Sequence, residues 1–229
     1  MTSLVVRTQN GSPTLIPETL PLPEPQSHQA LIRVTHVAQN PNDVQSFDSN
    51  AFGDGTVLGC DFVGQVIKIG DAVTKIKSGD TIAGEFKGLG AYSEYILADE
   101  SICFPISTGI SLEQASTVPL AALTSWLAVL SPGCLNIDRN LGSEITLLIW
   151  GGSSSVGLYA IQLASLFNFQ IITTCSPTRP RPLPRRTPCL RLPRRACHRP
   201  DHLPPESNPG LYLRYNRIVY VECSRVADS

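Results

Sequence analysis

The sequence predicts an α/β protein with a β-rich N-terminal domain over residues 1–135 and part of a parallel α/β domain over residues 136–176. Three observations predict it. Short strand-like runs alternate with turns through the first region, and a strand, a small-residue turn, a helix and a second strand follow in the next. The segment 178–209 then shows neither a helical nor a strand period, which marks the end of the globular pattern.

The N-terminal domain is predicted from strands at Leu4–Val6, Ala30–Val37, Val63–Ile69 and Ala91–Leu97, with a turn at Gly79-Asp80. Many short strands joined by tight turns are typical of a compact, barrel-like β domain. An irregular connection after the first strand is marked by Pro17, Pro21, Pro23 and Pro25.

A helix is predicted where the period changes, from Leu112 to Leu130. Ser111 is a suitable N-cap, and Glu113 and Gln114 fall in the first turn, where acidic and amide side chains favour helix initiation. Pro132-Gly133 ends the helix.

The most informative segment begins with the apolar run 145–150. Gly151 and Gly152 follow it, Gly157 lies in the first turn of an apolar-faced helix, and 169–174 reads as a second strand. Such a unit holds the pyrophosphate of a dinucleotide at the helix N-terminus, because glycines allow a tight turn and close packing of helix on strand. An ordinary βαβ crossover with a tight turn is the alternative.

The end of the second strand predicts the kind of dinucleotide. NAD-selective sites place an acidic residue there, about 20 residues past the glycines. Here Thr173-Thr174-Cys175-Ser176 occupies the place, and no Asp or Glu lies between Glu144 and Asp201. An acid would repel the 2′-phosphate of NADP, whereas short hydroxyl side chains can donate hydrogen bonds to it. The sequence therefore predicts NADPH as the cofactor.

Composition bounds the remaining possibilities. The chain has 229 residues, 42% of them hydrophobic, with no apolar run long enough to cross a bilayer. The N-terminus resembles a first strand rather than a signal segment. Seven cysteines lie without paired spacing, so we expect no disulfide framework and a reducing cytoplasm.

The tail differs sharply from the rest of the chain. Residues 1–176 carry a formal charge of −8, whereas 177–229 carry +7 with 11 Arg, no Lys and 10 of the 19 prolines. Proline at this density disfavours helices and central strands, so the segment 178–209 is expected to be disordered or extended. It lacks the interleaved aromatic residues of RNA-binding tails, which argues against nucleic acid as a partner. We interpret the tail as the product of a frameshift or an unremoved intron.

Five segments carry a resemblance to a known family: Gly59–Gly70, Gly79-Asp80, Gly90–Tyr95, Val118–Trp126 and Trp150–Gly157. Their order is similar to that of the medium-chain dehydrogenase/reductase superfamily, and the last two resemble the trans-acting enoyl reductases of fungal secondary metabolism. The resemblance covers residues 1 to about 176. It implies a GroES-like N-terminal domain, a partial Rossmann-type NADP-binding domain, and a chain truncated after about residue 176.

Zinc ligands are the point at which the sequence departs from the zinc-dependent members of that superfamily. The first loop, Gln39–Asp43, has no Cys, and Cys60-Asp61 occupies the place of a His-Glu pair. Cys103 stands alone where those members have four clustered cysteines. Zinc needs three or four ligands held together, so we expect no zinc, and interpret Cys60 as a buried core residue. His28 and His36 are interpreted as surface or packing residues.

The resemblance implies an NADPH-dependent enoyl reductase that acts in trans on a thioester bound to the carrier of a highly reducing polyketide synthase or PKS-NRPS. Residues implied to bind the cofactor are Pro41, Asn42, Asp43, Val44, Ser153, Ser154, Ser155, Val156, Ser176 and Pro177. Residues implied to face the substrate are Thr117, Val118, Pro119, Leu120, Ala121, Ala122, Leu123 and Thr124. No residue is identified as the proton donor, and water can serve. The Thr124 hydroxyl either donates to the substrate or bonds its own helix backbone.

Two other functions remain open. The chain is either a non-catalytic, truncated remnant of such an enzyme or a zinc-free reductase of small quinones and enones. NADPH binding separates an enzyme from a remnant, and a comparison of free enones with carrier-bound thioesters separates the two enzymes.

Overall fold

The computed structural model describes residues 1–85 and 90–174 in full, the backbone of Cys175, and the backbone of three short strands in the rest of the chain. It confirms the predicted fold class, a β-rich region followed by an α/β region. The chain divides into two compact units, Met1–Leu120 and Ala121–Ser229.

The first unit contains a hairpin and a five-stranded antiparallel sheet of order β6-β3-β4-β5-β7. Its strands are β1 (Thr2–Gln9), β2 (Ser12–Thr19), β3 (Gln29–Val37), β4 (Asp61–Ile69), β5 (Thr81–Glu85), β6 (Tyr95–Asp99) and β7 (Cys103–Pro105). Ile32, Phe62 and Ile82 are fully buried between them. Alternating apolar residues fill this core, as expected of antiparallel sheets with one buried face.

Two strand predictions in this unit are wrong. Residues 91–94 are not part of a regular strand: β6 begins only at Tyr95, and Ser93 makes an isolated bridge with Ser3. Pro17 lies inside β2 rather than in an irregular connection. Within the described residues β2 pairs only with β1, so it is an edge strand, where a proline without an N–H is tolerated.

Helices of the first unit begin at well-defined caps. The helix α1 is Pro41–Asp48 and α2 is Leu112–Ser116. Ser111 caps α2 as predicted and forms a capping box with Gln114. The single helix predicted from 112 to 130 is wrong, since α2 ends and α3 (Pro119–Leu130) begins anew. Pro119 explains the break, because a proline ring disfavours helical geometry in the preceding residue.

The second unit contains the predicted strand–turn–helix–strand: β8 (Thr146–Trp150), α4 (Ser155–Leu166) and β9 (Gln170–Cys175). The two strands are parallel, with Thr146 opposite Gln170. Leu147 and Ile149 of β8 are fully buried in the cluster that includes the inner face of α4. No helix among the described residues is long and apolar enough to cross a membrane.

The tail differs from its prediction at three places where the structure describes it. The strands β10 (Cys189–Arg191), β11 (Arg214–Tyr215) and β12 (Ile218–Glu222) extend the second sheet to the order β10-β9-β8-β12-β11. Both β10 and β12 are parallel to their neighbours. The expectation of only two strands, and of no strand in 178–209, is therefore wrong. Open edges of β8 and β9 offer backbone donors and acceptors that a short segment can pair with, whatever its composition.

Candidate functional site

The turn between β8 and α4 is held by backbone geometry. Gly151 has φ +84°, in the left-handed region that favours glycine. Its N–H donates to Thr174 Oγ1 at 3.0 Å, and the Gly152 N–H donates to the Thr174 carbonyl at 2.9 Å. The end of β9 therefore fixes the first half of the turn.

Two glycines allow α4 to lie directly against the turn. A Cβ on Gly152 would overlap Thr173 Oγ1 and lie 3.0 Å from Ile161 Cδ1. A Cβ on Gly157 would overlap the Gly151 carbonyl oxygen and lie 2.8 Å from the Gly152 Cα. A side chain at Gly152 would displace Thr173 of β9, and one at Gly157 would displace the first turn of α4 from Gly151 and Gly152. These glycines therefore set how closely the turn packs on β9 and the helix N-terminus on the turn.

The N-terminus of α4 carries unpaired donors. Ser154 is its N-cap, with a side chain that accepts from the Gly157 N–H at 3.0 Å. Within the described residues the backbone N–H groups of Ser155 and Val156 donate to no protein acceptor. Unsatisfied N–H groups and the helix dipole make such a terminus suited to an anion, phosphate among them. The predicted segment 153–156 therefore lies at this terminus.

The hydroxyls proposed to contact a 2′-phosphate are only partly available. Thr173 is fully buried, and its hydroxyl donates to the Ile149 carbonyl at 2.8 Å. Thr174 is also buried and accepts from Gly151. The strand-end interpretation is thus wrong for Thr173, whose hydroxyl points into the core. Ser176 and Pro177, the residues predicted to lie by the phosphate, are outside the described residues.

In the first unit the predicted cofactor residues 41–44 form the first turn of α1 rather than a loop. Asn40 is the N-cap: its backbone N–H donates to Asp43 Oδ2 at 2.7 Å, and its backbone carbonyl accepts from the Asp43 N–H at 3.0 Å. Pro41 occupies the first helical position, where no N–H is needed. Val44 is 38% exposed, the most accessible large apolar side chain of this turn.

A buried polar cluster adjoins α1. Asp43 is only 4% exposed, and its second oxygen accepts from the Cys60 thiol, with Sγ and Oδ1 3.6 Å apart. Asn42 Nδ2 donates to Cys60 Sγ at 3.3 Å, and the Tyr92 hydroxyl is also hydrogen-bonded to Asp43. Burial raises the pKa of the Cys60 thiol to about 11, so it is protonated at neutral pH. Burial and the nearby Asp43 carboxylate also raise the pKa of Tyr92.

Asp61 joins this cluster to α3. It is fully buried at the start of β4, where Oδ2 accepts from Asn40 Nδ2 at 2.9 Å and Oδ1 accepts from the Leu120 N–H at 2.8 Å. Burial raises the pKa of this carboxyl to about 6, and the nearby carboxylates of Glu85 and Asp43 contribute in the same direction. The two hydrogen bonds oppose the shift.

The predicted substrate residues span the end of α2 and the start of α3. Thr117 is the C-cap of α2, and its hydroxyl donates to the Gln114 carbonyl at 2.9 Å. Pro119 is buried. Thr124 is exposed, and its hydroxyl makes no hydrogen bond within the described residues, so the alternative of a bond to its own helix is not observed. Ser125 instead back-bonds, to the Ala121 carbonyl at 2.9 Å.

The residues around Cys60 do not fit a zinc ion. Zinc binds thiolate, and Cys60 is a buried thiol whose sulfur already bonds Asn42 and Asp43. The half-buried His36 has Nε2 3.7 Å from Glu113 Oε1. Among the described residues no three His, Cys, Asp or Glu side chains are grouped so that they could hold a metal.

Three residues of this cluster were missed as functional candidates by the sequence analysis. Asn40 could have been found, because Asn-Pro-x-Asp has the spacing of a capping box with proline at the first helical position. Asp61 and Tyr92 carry no comparable local signal, since the bonds that define their roles are long-range.

Comparison with known proteins gives a consistent group of relatives. Residues 26–108 match the family described as alcohol dehydrogenase GroES-like domain. The trans-enoyl reductase grgB of a Penicillium species is 35% identical over 168 residues, which cover 70% of this chain and 47% of that protein. Three further curated relatives carry the same description. The chain spans about half the length of the curated relatives it matches.

Solved structures agree with the fold. An alcohol dehydrogenase superfamily protein from Novosphingobium aromaticivorans has a TM-score of 0.68 and 25% identity, over 76% of this chain and 53% of that one. A quinone oxidoreductase from Coxiella burnetii has a TM-score of 0.61 and 27% identity, over 77% of this chain and 57% of that one.

Proposed function

Because the chain belongs to the medium-chain dehydrogenase/reductase superfamily, we propose that it functions as an NADPH-dependent enoyl reductase that acts in trans on a carrier-bound thioester. The observation that supports this most directly is the N-terminus of α4. There the N–H groups of Ser155 and Val156 have no acceptor within the described residues, and they follow a turn whose Gly152 has no room for a Cβ. A dinucleotide pyrophosphate is the anion that this combination suits.

Residues of this chain are assigned to the cofactor as follows. Ser153–Val156 would hold the phosphates through backbone and hydroxyl donors. Ser176 and Pro177 would lie by the 2′-phosphate, an assignment from the sequence alone. Pro41–Val44 would line the cofactor from α1, where the Asn40–Asp43 capping box keeps the turn rigid. We propose the reducing cytoplasm as the compartment, which is supported by the thiols of Cys103 and Cys134, two described cysteines that form no disulfide with another described residue.

When bound, NADPH would supply the hydride that reduces the β-carbon of an α,β-unsaturated thioester. The protein's part is to orient the acyl chain and exclude competing reactions. The segment Thr117–Thr124 is proposed to face the substrate. The exposed Thr124 hydroxyl, which has no hydrogen-bond partner within the described part of the chain, is proposed as a donor. Water is proposed as the proton source, because the hydroxyl of Tyr92 and the thiol of Cys60 are already bonded to buried Asp43. The carrier would belong to a highly reducing polyketide synthase or PKS-NRPS.

The function is tested with purified protein. Binding of NADPH is measured by titration, with its fluorescence as the signal. Oxidation of NADPH is then followed with each of three substrates: a crotonyl thioester on an acyl carrier protein, free crotonyl pantetheine and a small quinone. Faster turnover of the carrier-bound thioester supports the proposal. Faster turnover of the quinone favours a quinone reductase, for which the similarity to the Coxiella burnetii quinone oxidoreductase is the supporting observation. Failure of NADPH to bind would favour a non-catalytic remnant.

Cofactor selectivity gives a first prediction. Ser176→Asp is expected to weaken NADPH binding at least about tenfold, because a carboxylate beside a phosphate dianion costs more than about 1.4 kcal/mol. Dissociation constants for NADPH and NADH are measured by fluorescence titration. Ser12→Asp, an exposed serine on β2, is the matched control and should change neither. Equal affinities for the two cofactors in the unmodified protein would contradict the assignment.

Metal content gives a second prediction. We expect less than stoichiometric zinc in the purified chain, and no change in unfolding temperature or turnover on treatment with EDTA, because Cys60 is a buried thiol within a hydrogen-bonded cluster. Elemental analysis by mass spectrometry measures the zinc. One firmly held zinc per chain that Cys60→Ser removes would overturn the proposal of a zinc-free enzyme.

A further inference from the structure

We propose that Asp61 is a positioning residue, whose single carboxylate couples the N-terminus of α1 to the N-terminus of α3. The identity of these segments as cofactor-lining and substrate-facing rests on the proposed function, but the coupling itself is a property of the folded chain. Its two oxygens are used separately, one for each helix.

On the α1 side the coupling passes through Asn40. Asn40 is the N-cap of α1, and its backbone is hydrogen-bonded to Asp43 through both its N–H and its carbonyl. Its side-chain amide nitrogen donates to Asp61 Oδ2 at 2.9 Å. Reversal of the amide would turn its oxygen toward the carboxylate and lose this bond. Asp61 therefore fixes the side chain that starts α1.

On the α3 side the carboxylate takes the place of a capping residue. Val118 precedes the helix and has no polar side chain, and Pro119 has no N–H. Leu120 is thus the first residue of α3 with a donor, and that donor goes to Asp61, 59 residues away in the chain. Without this carboxylate, no polar side chain among the described residues caps the start of α3.

The environment makes the coupling sensitive to protons. The titratable groups near Asp61 are Glu85, which lies opposite it on β5, Asp43 on α1, and Cys60, the preceding residue. Burial and these acidic groups raise its pKa to about 6. Proton uptake leaves a neutral carboxyl, which is a weaker acceptor for both donors. The two hydrogen bonds to Asp61 should therefore weaken together as the pH falls through 6.

The coupling is tested by NMR on the protein without cofactor. The Leu120 backbone amide and the Asn40 side-chain amide should titrate with one shared midpoint near pH 6 in the unmodified chain, because they bond the same carboxylate. The protection factors of the amides of Asn42–Val44 and of Leu120, which correct for the intrinsic slowing of exchange in acid, should change over the same pH range. Asp138→Asn, which removes the acidic N-cap of the 3-10 helix Arg139–Glu144, is the control and should leave these titrations unchanged.

A pair of substitutions tests the coupling directly. Asp61→Asn places its amino group against the amino group of Asn40, and Asn40→Asp places two carboxylates together, so either change alone should speed exchange at both helix starts at least about tenfold. In the chain with both Asn40→Asp and Asp61→Asn, the new amide can donate to the new carboxylate while its oxygen accepts from the Leu120 N–H. This double variant should therefore recover slow exchange. Recovery would not occur if the single changes acted only through general destabilisation.

Two outcomes would overturn the proposal and leave Asp61 as a cap for α3 only. One is a different titration midpoint for the Leu120 amide than for the Asn40 side-chain amide. The other is an effect of Asp61→Asn on exchange at Leu120 but not at the start of α1. The relation to function is measured separately, as the NADPH dissociation constant at pH 7.5 and at pH 5.5. We expect several-fold weaker binding at pH 5.5, with a loss of this pH dependence in Asp61→Asn. Absence of NADPH binding at both pH values would contradict the proposed function. The coupling would still be tested by the NMR titration, which is measured without cofactor.

Discussion

Gly157→Ala is expected to abolish detectable NADPH binding and to lower the free energy of unfolding by about 3 kcal/mol, the upper end of the cost of overpacking. The added Cβ would overlap the Gly151 carbonyl oxygen and lie 2.8 Å from the Gly152 Cα. Both neighbours are backbone atoms of the turn, so no rotation of a side chain relieves the contact. The first turn of α4 must move away from β8.

Displacement of this turn removes the proposed phosphate donors from their place. A misplacement of about 1 Å costs on the order of 100-fold where geometry is tightly required. Fluorescence titration measures NADPH binding, and urea denaturation measures stability. Gly79→Ala is the matched control, because its φ of +93° gives backbone strain while its Cβ would meet nothing within 4 Å. We expect a loss of stability on the order of 1 kcal/mol and unchanged NADPH binding. Wild-type affinity in Gly157→Ala would contradict the assignment of the α4 N-terminus.

Between pH 4 and pH 7, the free energy of unfolding of the wild type is expected to fall by about 3 kcal/mol relative to that of Asp61→Asn, because Asp61 ionises in a buried site. Its pKa is about 6 in the folded state against an ordinary value of 3.8, so between these values the folded chain binds more protons than the unfolded one. The contribution is therefore fully present below pH 4 and is lost as the pH rises through 6. Denaturant titrations of both chains at four pH values measure the difference.

Asp99→Asn is the control of opposite sign. Hydrogen bonds from Ser101 lower the pKa of Asp99, so its contribution to stability is present above its ordinary pKa and is lost as the pH falls. The free energy of unfolding of the wild type should thus increase with pH relative to that of Asp99→Asn. Relative to that of Asp61→Asn, it should decrease with pH. A pH-independent difference between the wild type and Asp61→Asn would mean that Asp61 does not titrate in this range.

Local patterns predicted the parts of the fold that depend on local rules. The change from a strand period to a helical one located β8 and α4, and the serine before Leu112 located the start of α2. Cys60 is buried, as its interpretation as a core residue required. These features depend on periodicity, capping and burial within a few residues.

The errors have physical reasons of two kinds. Some signals were present in the sequence but were given less weight than the surrounding pattern. Pro119 starts a new helix within a continuous apolar period, and Pro41 starts α1 in a segment that resembled a loop. Others were absent, because they are set by tertiary contacts. The Thr173 hydroxyl turns inward to Ile149, and Asp61 reaches Leu120, for reasons that no window of sequence contains.

Pairing of β12 with β8 also has a kinetic consequence. Ile218 lies opposite Thr146, so more than 70 residues must be closed into a loop before this pair can form. Pairing of β8 with β9 closes a loop of about a third of that length. Contacts close in sequence form faster than distant ones. We therefore expect the strand–turn–helix–strand around Gly157 to assemble first during folding, with β12 added to the exposed side of β8 in a later, slower phase.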